Sequence, residues 1–316
     1  MIAPLFCVTL LSSSGGLTLA DGRVSLGVLT SLNVDWRAVR TSGLVTSNTS
    51  LTSRLSLVTL DAELDRTTAV RLGVDLTKAA PQSVRELFVQ IAVTSGWGCR
   101  LGRFMPPLGF EAAAEPSTLK FIDYSLISWH WKPSEPWDFG AMGFYEGRCI
   151  YGALALVNGS SEPFSDDNRW RDVCFRFALL PESGSWPDVG VRYYHGMVGE
   201  IGSPFSSAAS DVRLGTGVLT ALGEFEYASY LAVRWYSSNL QVSYALTRFL
   251  EPTLRVQGEA RRDGTFGFGF VPGVLFSSAS RALSAKVNVN YWHDVSRAPG
   301  GSATEVAIML EIMAHL

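Results

Sequence analysis

VSLGVLTSLNVDW, residues 24–36, decides the fold class of this chain. Successive side chains of an extended strand point to opposite faces, so a strict alternation of apolar and polar residues predicts a strand with two different faces. One face of this stretch would carry Val24, Leu26, Val28, Leu32, Val34 and Trp36. The other would carry Ser25, Gly27, Ser31, Asn33 and Asp35.

The same alternation recurs along the chain as far as VAIMLEIMAHL, residues 306–316. Sixteen such segments begin near residues 24, 51, 68, 84, 97, 137, 148, 170, 187, 209, 224, 239, 253, 265, 281 and 303. An even number of strands suits a closed antiparallel transmembrane β-barrel. The sequence therefore predicts an all-β barrel of about sixteen strands, with fourteen as the alternative count.

The composition favours a membrane barrel over a soluble protein. Hydrophobic residues make up 47% of the chain and charged residues 17%, with a mean hydropathy of +0.16. A soluble domain carries about 25% charged residues. No stretch after residue 20 approaches the roughly 20 apolar residues of a membrane helix. We therefore expect a multi-pass protein of the outer membrane in contact with the lipid bilayer; a large soluble β-sandwich or β-solenoid is the alternative.

Charge and cysteine content exclude several other classes. The formal net charge is −3 and the pI is near 5.9, which argues against a nucleic-acid partner. Cys7, Cys99, Cys149 and Cys174 show no metal-ligand spacing. The sequence predicts no metal and no cofactor, and it leaves one disulfide open.

Residues 1–20 are predicted to be a signal peptide. Ile2 to Leu11 form an apolar core, and Thr18-Leu19-Ala20 is a small-residue cleavage site. The usual basic residues before the apolar core are missing. Residues 21–316 would then form a single barrel domain.

The longest predicted connection, residues 105–136, lies between the fifth and sixth strands. If the first strand runs outward, this connection and five aromatic positions, at Trp36, Trp137, Trp170, Trp235-Tyr236 and Tyr291-Trp292, fall at the exterior end. Trp and Tyr prefer membrane interfaces, which supports this orientation. A loop in this place can fold into a wide barrel and narrow it. The sequence predicts a constriction loop that carries Glu111, Glu115, Lys120, Asp123 and Lys132.

Charged residues opposite the apolar faces are predicted to line the interior. The basic ones are Arg71, Arg100, Arg176, Arg192, Arg213, Arg234, Arg255, Arg261 and Lys286. The acidic ones are Asp75, Asp172, Glu224, Glu226, Glu259 and Glu311. Nine positive against six negative side chains would give the wall a slight basic excess. Charges on the wall of a water-filled channel set its selectivity, so this pattern predicts passive diffusion of small hydrophilic solutes or ions, with a lean toward anions.

Residues 97–195 resemble a known family. CRLGRFMPPLGFEAAAEPSTLKFID (99–123), WDFGAMGFYEGRCIYGALALVNGSS (137–161) and DNRWRDVCFRFALLP (167–181) follow the motif order of the phosphate-selective porin O and P family. The resemblance implies a sixteen-stranded, usually homotrimeric porin whose third exterior loop folds into the channel. The loop here mixes acids with its two lysines, and the C-terminal residue is Leu316, where an aromatic is usual. Phosphate specificity is therefore not carried over.

Two other functions compete with a porin. The Ser/Thr-rich exterior stretch TSGLVTSNTSLTS (41–53) would suit a structural or adhesive barrel. Asp123, Ser128 and His130 are the only residues that suggest a barrel hydrolase, and their spacing within one loop is weak support for a triad. The sequence predicts that the protein is not an enzyme.

Overall fold

The computed structural model is a closed antiparallel β-barrel of sixteen strands. It describes residues 17–19, 23–41, 44–80, 82–112, 114, 118–131, 137–159, 170–181, 187–198, 202–215, 217–230, 233–279, 282–295 and 302–315. Each wall strand pairs with its neighbours in sequence, and the last strand closes the ring by pairing with Val24–Thr41. The predicted fold class and strand number are confirmed.

The first half of the wall begins with β1 (Leu17–Leu19), a short strand that pairs with the start of β2. It continues with β2 (Val24–Thr41), β3 (Leu44–Thr52), β4 (Ser56–Glu63), β5 (Thr68–Asp75), β6 (Val84–Ala92), β7 (Trp97–Phe104), β8 (Asp138–Glu146) and β9 (Ile150–Val157). The prediction of a signal peptide over residues 1–20 stays a prediction, and residues 1–16 lie outside the described part.

The second half consists of nine strands, eight of which are longer than any of β3 to β9. They are β10 (Asp172–Leu179), β11 (Asp188–Val198), β12 (Ser203–Gly215), β13 (Leu219–Tyr230), β14 (Val233–Tyr244), β15 (Leu250–Arg261), β16 (Phe266–Ser277), β17 (Leu283–Val295) and β18 (Ser302–His315). The single helix that the structure describes is α1 (Leu126–Trp131). Within the described residues, no helix has the length and hydrophobicity of a membrane span.

β3 and β4 together form one wall strand, interrupted by a β-bulge. Thr52 pairs with Asn33 and Ser56 pairs with Thr30, so three residues, 53–55, oppose the two residues 31–32 of β2. Ser31 satisfies the backbone at this point, because its hydroxyl accepts the Leu55 N–H at 3.1 Å and its N–H donates to the Leu55 carbonyl at 2.8 Å. Because of the extra residue, even-numbered residues point inward in β3 and odd-numbered residues point inward in β4. The bulge also changes the direction of the side chain of Arg54, which lies between the two strands.

The faces of the wall alternate as the sequence predicts. In β14, Leu240 is 51% exposed whereas its neighbours Asn239 and Gln241 are 3% and 7% exposed. Apolar side chains thus cover the outside, and polar side chains point inward and are buried. A soluble sandwich has the opposite arrangement, because its apolar faces pack against each other.

Several predicted boundaries shift. The segments predicted to begin near residues 51, 209 and 239 begin earlier, at Leu44, Ser203 and Val233. β2 and β3 thus form a long hairpin. Register pairing with neighbouring strands, which a single-sequence pattern does not contain, fixes these ends.

The two ends of the barrel differ. Six of the described or partly described connections at one end are short. In one of them, residues 64–67, the Asp65 carboxylate accepts the Thr67 and Thr68 N–H groups at 2.7 and 2.8 Å. The other end carries the longest connection, residues 105–137 between β7 and β8, hereafter the long connection. Trp36, Trp235 and Trp292 lie toward this same end, in agreement with the predicted aromatic side.

Candidate functional site

The inward faces carry charged residues that pair across neighbouring strands. Arg71 on β5 lies between Asp61 on β4 and Glu86 on β6, with its Nε 3.2 Å from a carboxylate oxygen of each. Arg71 and Asp61 occupy directly opposed positions in the ladder, which is the arrangement that brings two side chains closest. The predicted cation at residue 71 is thus held by acids on both sides.

A second ion pair spans two strands. Arg176 on β10 donates to both carboxylate oxygens of Asp211 on β12, at 2.7 and 3.1 Å. Its guanidinium passes over Gly190 on β11, where an added Cβ would lie 2.3 Å from Asp211 Oδ1 and 2.8 Å from Arg176 Nη2. Glycine at 190 therefore leaves the space for a bidentate pair that could not form over a larger residue.

The middle of this wall continues the network. Arg192 Nη1 on β11 lies 3.5 Å from Glu224 Oε1 on β13, and Asn239 on β14 donates to Glu224 Oε2 at 3.0 Å. Arg192 is 3% and Glu224 5% exposed. Burial makes such groups costly unless they are paired, so the network holds these side chains in fixed positions.

The structure also describes Lys286, Arg100 and Arg234, three further residues that were predicted to line the interior. Lys286 on β17 lies 3.2 Å from Glu311 on β18, and Arg100 on β7 donates to Gln90 Oε1 at 2.7 Å. Arg234 is a correction. It is exposed and shares the outward face of β14 with Tyr236, because the inward residues of that strand are the odd-numbered ones.

Sequence reasoning missed three inward acids, Asp61, Glu86 and Asp211. Each faces one of the predicted arginines, so the predicted basic excess of the wall is largely offset by local pairing. The alternation in the stretch LVTLDAEL (57–64) would have placed Asp61 on the polar face. The pairing itself depends on strand register.

The long connection contacts the wall at a distant point. Arg255 on β15 forms an ion pair with Glu111, donates to the Asp123 carbonyl at 2.8 Å, and lies over the Phe121 ring at 4.2 Å. The Leu126 N–H donates to Gln257 on the same strand at 3.1 Å. Counting round the sixteen-stranded ring, β15 is eight strands from β7 in either direction. The connection therefore contacts the strand opposite its origin.

Further contacts hold its second half. Asp123 forms an ion pair with Arg54 at the bulge, and Lys120 Nζ lies 2.8 Å from Glu251 on β15. The Ile122 N–H donates to Asn288 Oδ1 on β17 at 2.7 Å. Residues 120–126 thus make five polar contacts with the far wall or the bulge.

The first half of the connection is held differently. Leu108 and Ala112, together with Phe104 at the end of β7, are buried in an apolar cluster with inward side chains of β6 and β8–β13. The wall members of this cluster are Phe88, Met142, Ala153, Ala155, Val157, Cys174, Tyr194, Phe205, Ala209 and Ala228. The alternation predicted a polar interior, whereas this side of the interior is apolar. Its small and aromatic residues stand on the face that was predicted to line the lumen.

Gly109 marks the closest approach of the connection to the charged wall. Its φ is 129°, a conformation that side chains other than glycine rarely adopt, and an added Cβ would lie 1.8 Å from Arg192 Nη1. Phe110 next to it lies under Arg176, 4.6 Å from the guanidinium carbon. Glycine at 109 therefore lets the backbone pass directly against Arg192.

Other predicted residues are only partly described. Glu115 and Lys132 lie outside the described residues, and so does the side chain of His130. Ser128 donates to Glu111 Oε2 at 3.3 Å, which ties it to the Arg255 contact. Cys99, Cys149 and Cys174 are free cysteines, so none of them forms the disulfide that the sequence left open.

Known structures share this architecture. The outer membrane channel DcaP of Acinetobacter baumannii aligns with a TM-score of 0.68 and 11% identity, over 95% of this chain and 99% of that one. The trimer form of OmpT, an outer membrane protein of Vibrio cholerae, aligns with a TM-score of 0.67 and 10% identity, over 93% and 99%. The chain has the fold of these outer-membrane proteins. A structure described as porin aligns with a TM-score of 0.56 and 10% identity, over 91% and 99%.

Sequence comparisons give no such match. No family model matches the chain, and no curated protein matches it. The resemblance of residues 97–195 to the phosphate-selective porin O and P family is therefore not confirmed. At about a tenth of identical residues, the structural likeness shows the fold alone.

Proposed function

We propose that this protein is an outer-membrane porin through which small hydrophilic solutes diffuse passively. The observation that carries the proposal is the long connection, which leaves the wall at β7 and hydrogen-bonds to β15 on the opposite side of a closed barrel. A segment that reaches the opposite strand from one mouth has to cross the interior or its opening. In the proposal, residues 105–131 cross the interior and form the constriction.

The two faces of the wall support a membrane setting. The outward faces carry exposed large apolar side chains on nearly every strand, which lipid would cover. The inward charges would line the path of solutes, and the resemblance to an outer membrane channel supports the same setting. The trimer form of OmpT supports a homotrimer as the assembly.

Conductance across a planar lipid bilayer tests the porin proposal. The refolded full chain should insert and give discrete, long-lived current steps in potassium chloride, because an interior lined by charges holds water and ions. A barrel that inserts into the bilayer but stays electrically silent would contradict the proposal. A structural or adhesive barrel predicts that silent outcome.

The anion preference stays a prediction, and Arg100→Glu tests it. A two-unit change of charge acts on an ion about 10 Å away with about 0.8 kcal/mol in water, and screening at 0.1 M salt leaves roughly a third of that. We expect the potassium-to-chloride permeability ratio to rise about two- to threefold, measured as the reversal potential in a salt gradient.

Arg66→Glu is the matched control for this measurement. Arg66 lies exposed in the turn between β4 and β5, so the same change of charge is made away from the inward face. An equal shift of the reversal potential in both variants would show that Arg100 does not act on ions in the channel.

A further inference from the structure

A recess between the bulge and the long connection has the features of a solute site. It has a volume of about 200 Å³. Its polar lining consists of Asn33, Asp35, Arg37, Thr52, Arg54 and Asp123. Since a water molecule occupies about 30 Å³ in the liquid, the recess has room for a solute the size of about seven waters.

The charges of the lining itself are separated and equal in number, and Glu305 next to it pairs with Arg37 at 3.1 Å. Arg37 and Arg54 supply two positive charges, and Asp35 and Asp123 supply two negative ones. A solute with a net charge would upset this balance, whereas a neutral molecule with separated charges would preserve it. The bulge creates the arrangement, because the extra residue at 53–55 directs Arg54 toward Asp123 of the long connection.

Three buried polar atoms of this lining make no hydrogen bond with the described residues. They are Arg54 Nη1, Asp35 Oδ1 and Asn33 Oδ1. The Arg54 Nη2 is already engaged by Asp123, and the Asp35 Oδ2 lies 3.7 Å from Arg37 Nη2. These atoms are buried in the wall of the recess, and a small shift of their side chains would offer one cationic donor and two acceptors to a solute. Such a shift would be favoured, because leaving these groups unsatisfied is costly.

We propose that this recess binds a small zwitterion of the α-amino-acid type. A carboxylate is the natural acceptor for the guanidinium of Arg54, and an ammonium group has three donors and no acceptor, which suits Asp35 and Asn33. An α-amino acid carries both groups on one carbon atom and matches the volume. The inference rests on the proposed porin function, since it names the class of solute that the channel would favour.

Four solutes of nearly equal size separate the alternatives. L-serine is the zwitterion, glycerate replaces its ammonium by a hydroxyl, serinol replaces its carboxylate by a hydroxymethyl group, and glycerol is uncharged. Binding to the detergent-solubilised full chain is measured by equilibrium dialysis, which needs no conduction. We expect serine to bind about tenfold more tightly than glycerate or serinol, because each of these lacks one charged contact, and glycerol, which lacks both, to bind most weakly.

Two variants and a control locate the site. Arg54→Gln should reduce serine binding to the level of serinol, Asp35→Asn should reduce it to the level of glycerate, and Arg66→Gln should leave it unchanged. The second variant is needed because a substitution at Arg54 could disturb the bulge itself. Folding of each variant is checked by the heat-modifiable mobility of the barrel on a gel. Equal binding of all four solutes, or preferred binding of glycerate or serinol, would overturn the inference.

The outcomes also separate this inference from the porin proposal. A wild-type channel that conducts potassium chloride without a preference for serine contradicts the inference and leaves the porin proposal standing. Serine binding that is lost in Arg54→Gln, in a protein without conductance, supports the site and contradicts the porin.

Discussion

Replacing Arg255 by Glu is expected to raise single-channel conductance about twofold or more, since widening a constriction lowers the barrier to ions. Arg255 joins Glu111, the Asp123 carbonyl and the Phe121 ring to β15, and it is 2% exposed. A glutamate at 255 would face Glu111 with a like charge. Breaking one partner of a buried ion pair costs roughly 3–5 kcal/mol, which is enough to release this part of the connection.

The wall should survive this change, because each strand keeps its backbone pairing with two neighbours. The double variant Arg255→Glu with Glu111→Arg reverses the pair and should restore most of the original conductance. Arg262→Glu is the control, because it makes the same change of charge in the exposed turn after β15. An unchanged conductance in Arg255→Glu would contradict a constriction held by this residue.

Leu240→Arg is expected to destabilise the barrel in a bilayer by about 2–4 kcal/mol, the cost of an arginine on the lipid face near the midplane. Leu240 lies near the middle of β14 and is 51% exposed on the outward face. The measurement is the free energy of unfolding by guanidinium in lipid vesicles, followed by tryptophan fluorescence. In a soluble protein the same exposed position would tolerate arginine.

Two controls isolate the effect of the bilayer. Leu240→Ala removes the same side chain without adding a charge. Leu214→Arg places arginine at an equally exposed outward position, 50% exposed, next to the last residue of β12. Its cost should fall to about 0–1 kcal/mol, because the charge reaches the interface. Equal losses at positions 214 and 240 would contradict the membrane setting.

The strand number and the two faces of the wall could be predicted from sequence because alternation is a local signal. Each strand repeats it, as in residues 24–36, and no knowledge of neighbours is needed. The ends of strands were predicted less well. Residues 44–50 look like a polar loop but extend β3, because β2 offers them a backbone to pair with.

The interior could be predicted only in part for the same reason. Arg176 and Arg255 were placed on the inward face from alternation alone. Their partners Asp211 and Glu111 are 35 and 144 residues away in sequence. Pairing of β10 and β12 with β11 brings the first pair together, and the path of the long connection to β15 brings the second together. The bulge at 53–55 could not be foreseen, since one extra residue is visible only against the register of β2.

The apolar cluster along β6 and β8–β13 has a consequence for the path of a solute. Because Phe104, Leu108 and Ala112 pack against that side, this part of the interior is filled as in the core of a soluble protein. Water and ions would be displaced toward the opposite side, along β2–β4 and β15–β18, where the Lys120–Glu251 pair, the Lys286–Glu311 pair and the recess lie. The route through the barrel would therefore be eccentric, and its effective diameter would depend on one arc of the wall instead of the whole circumference.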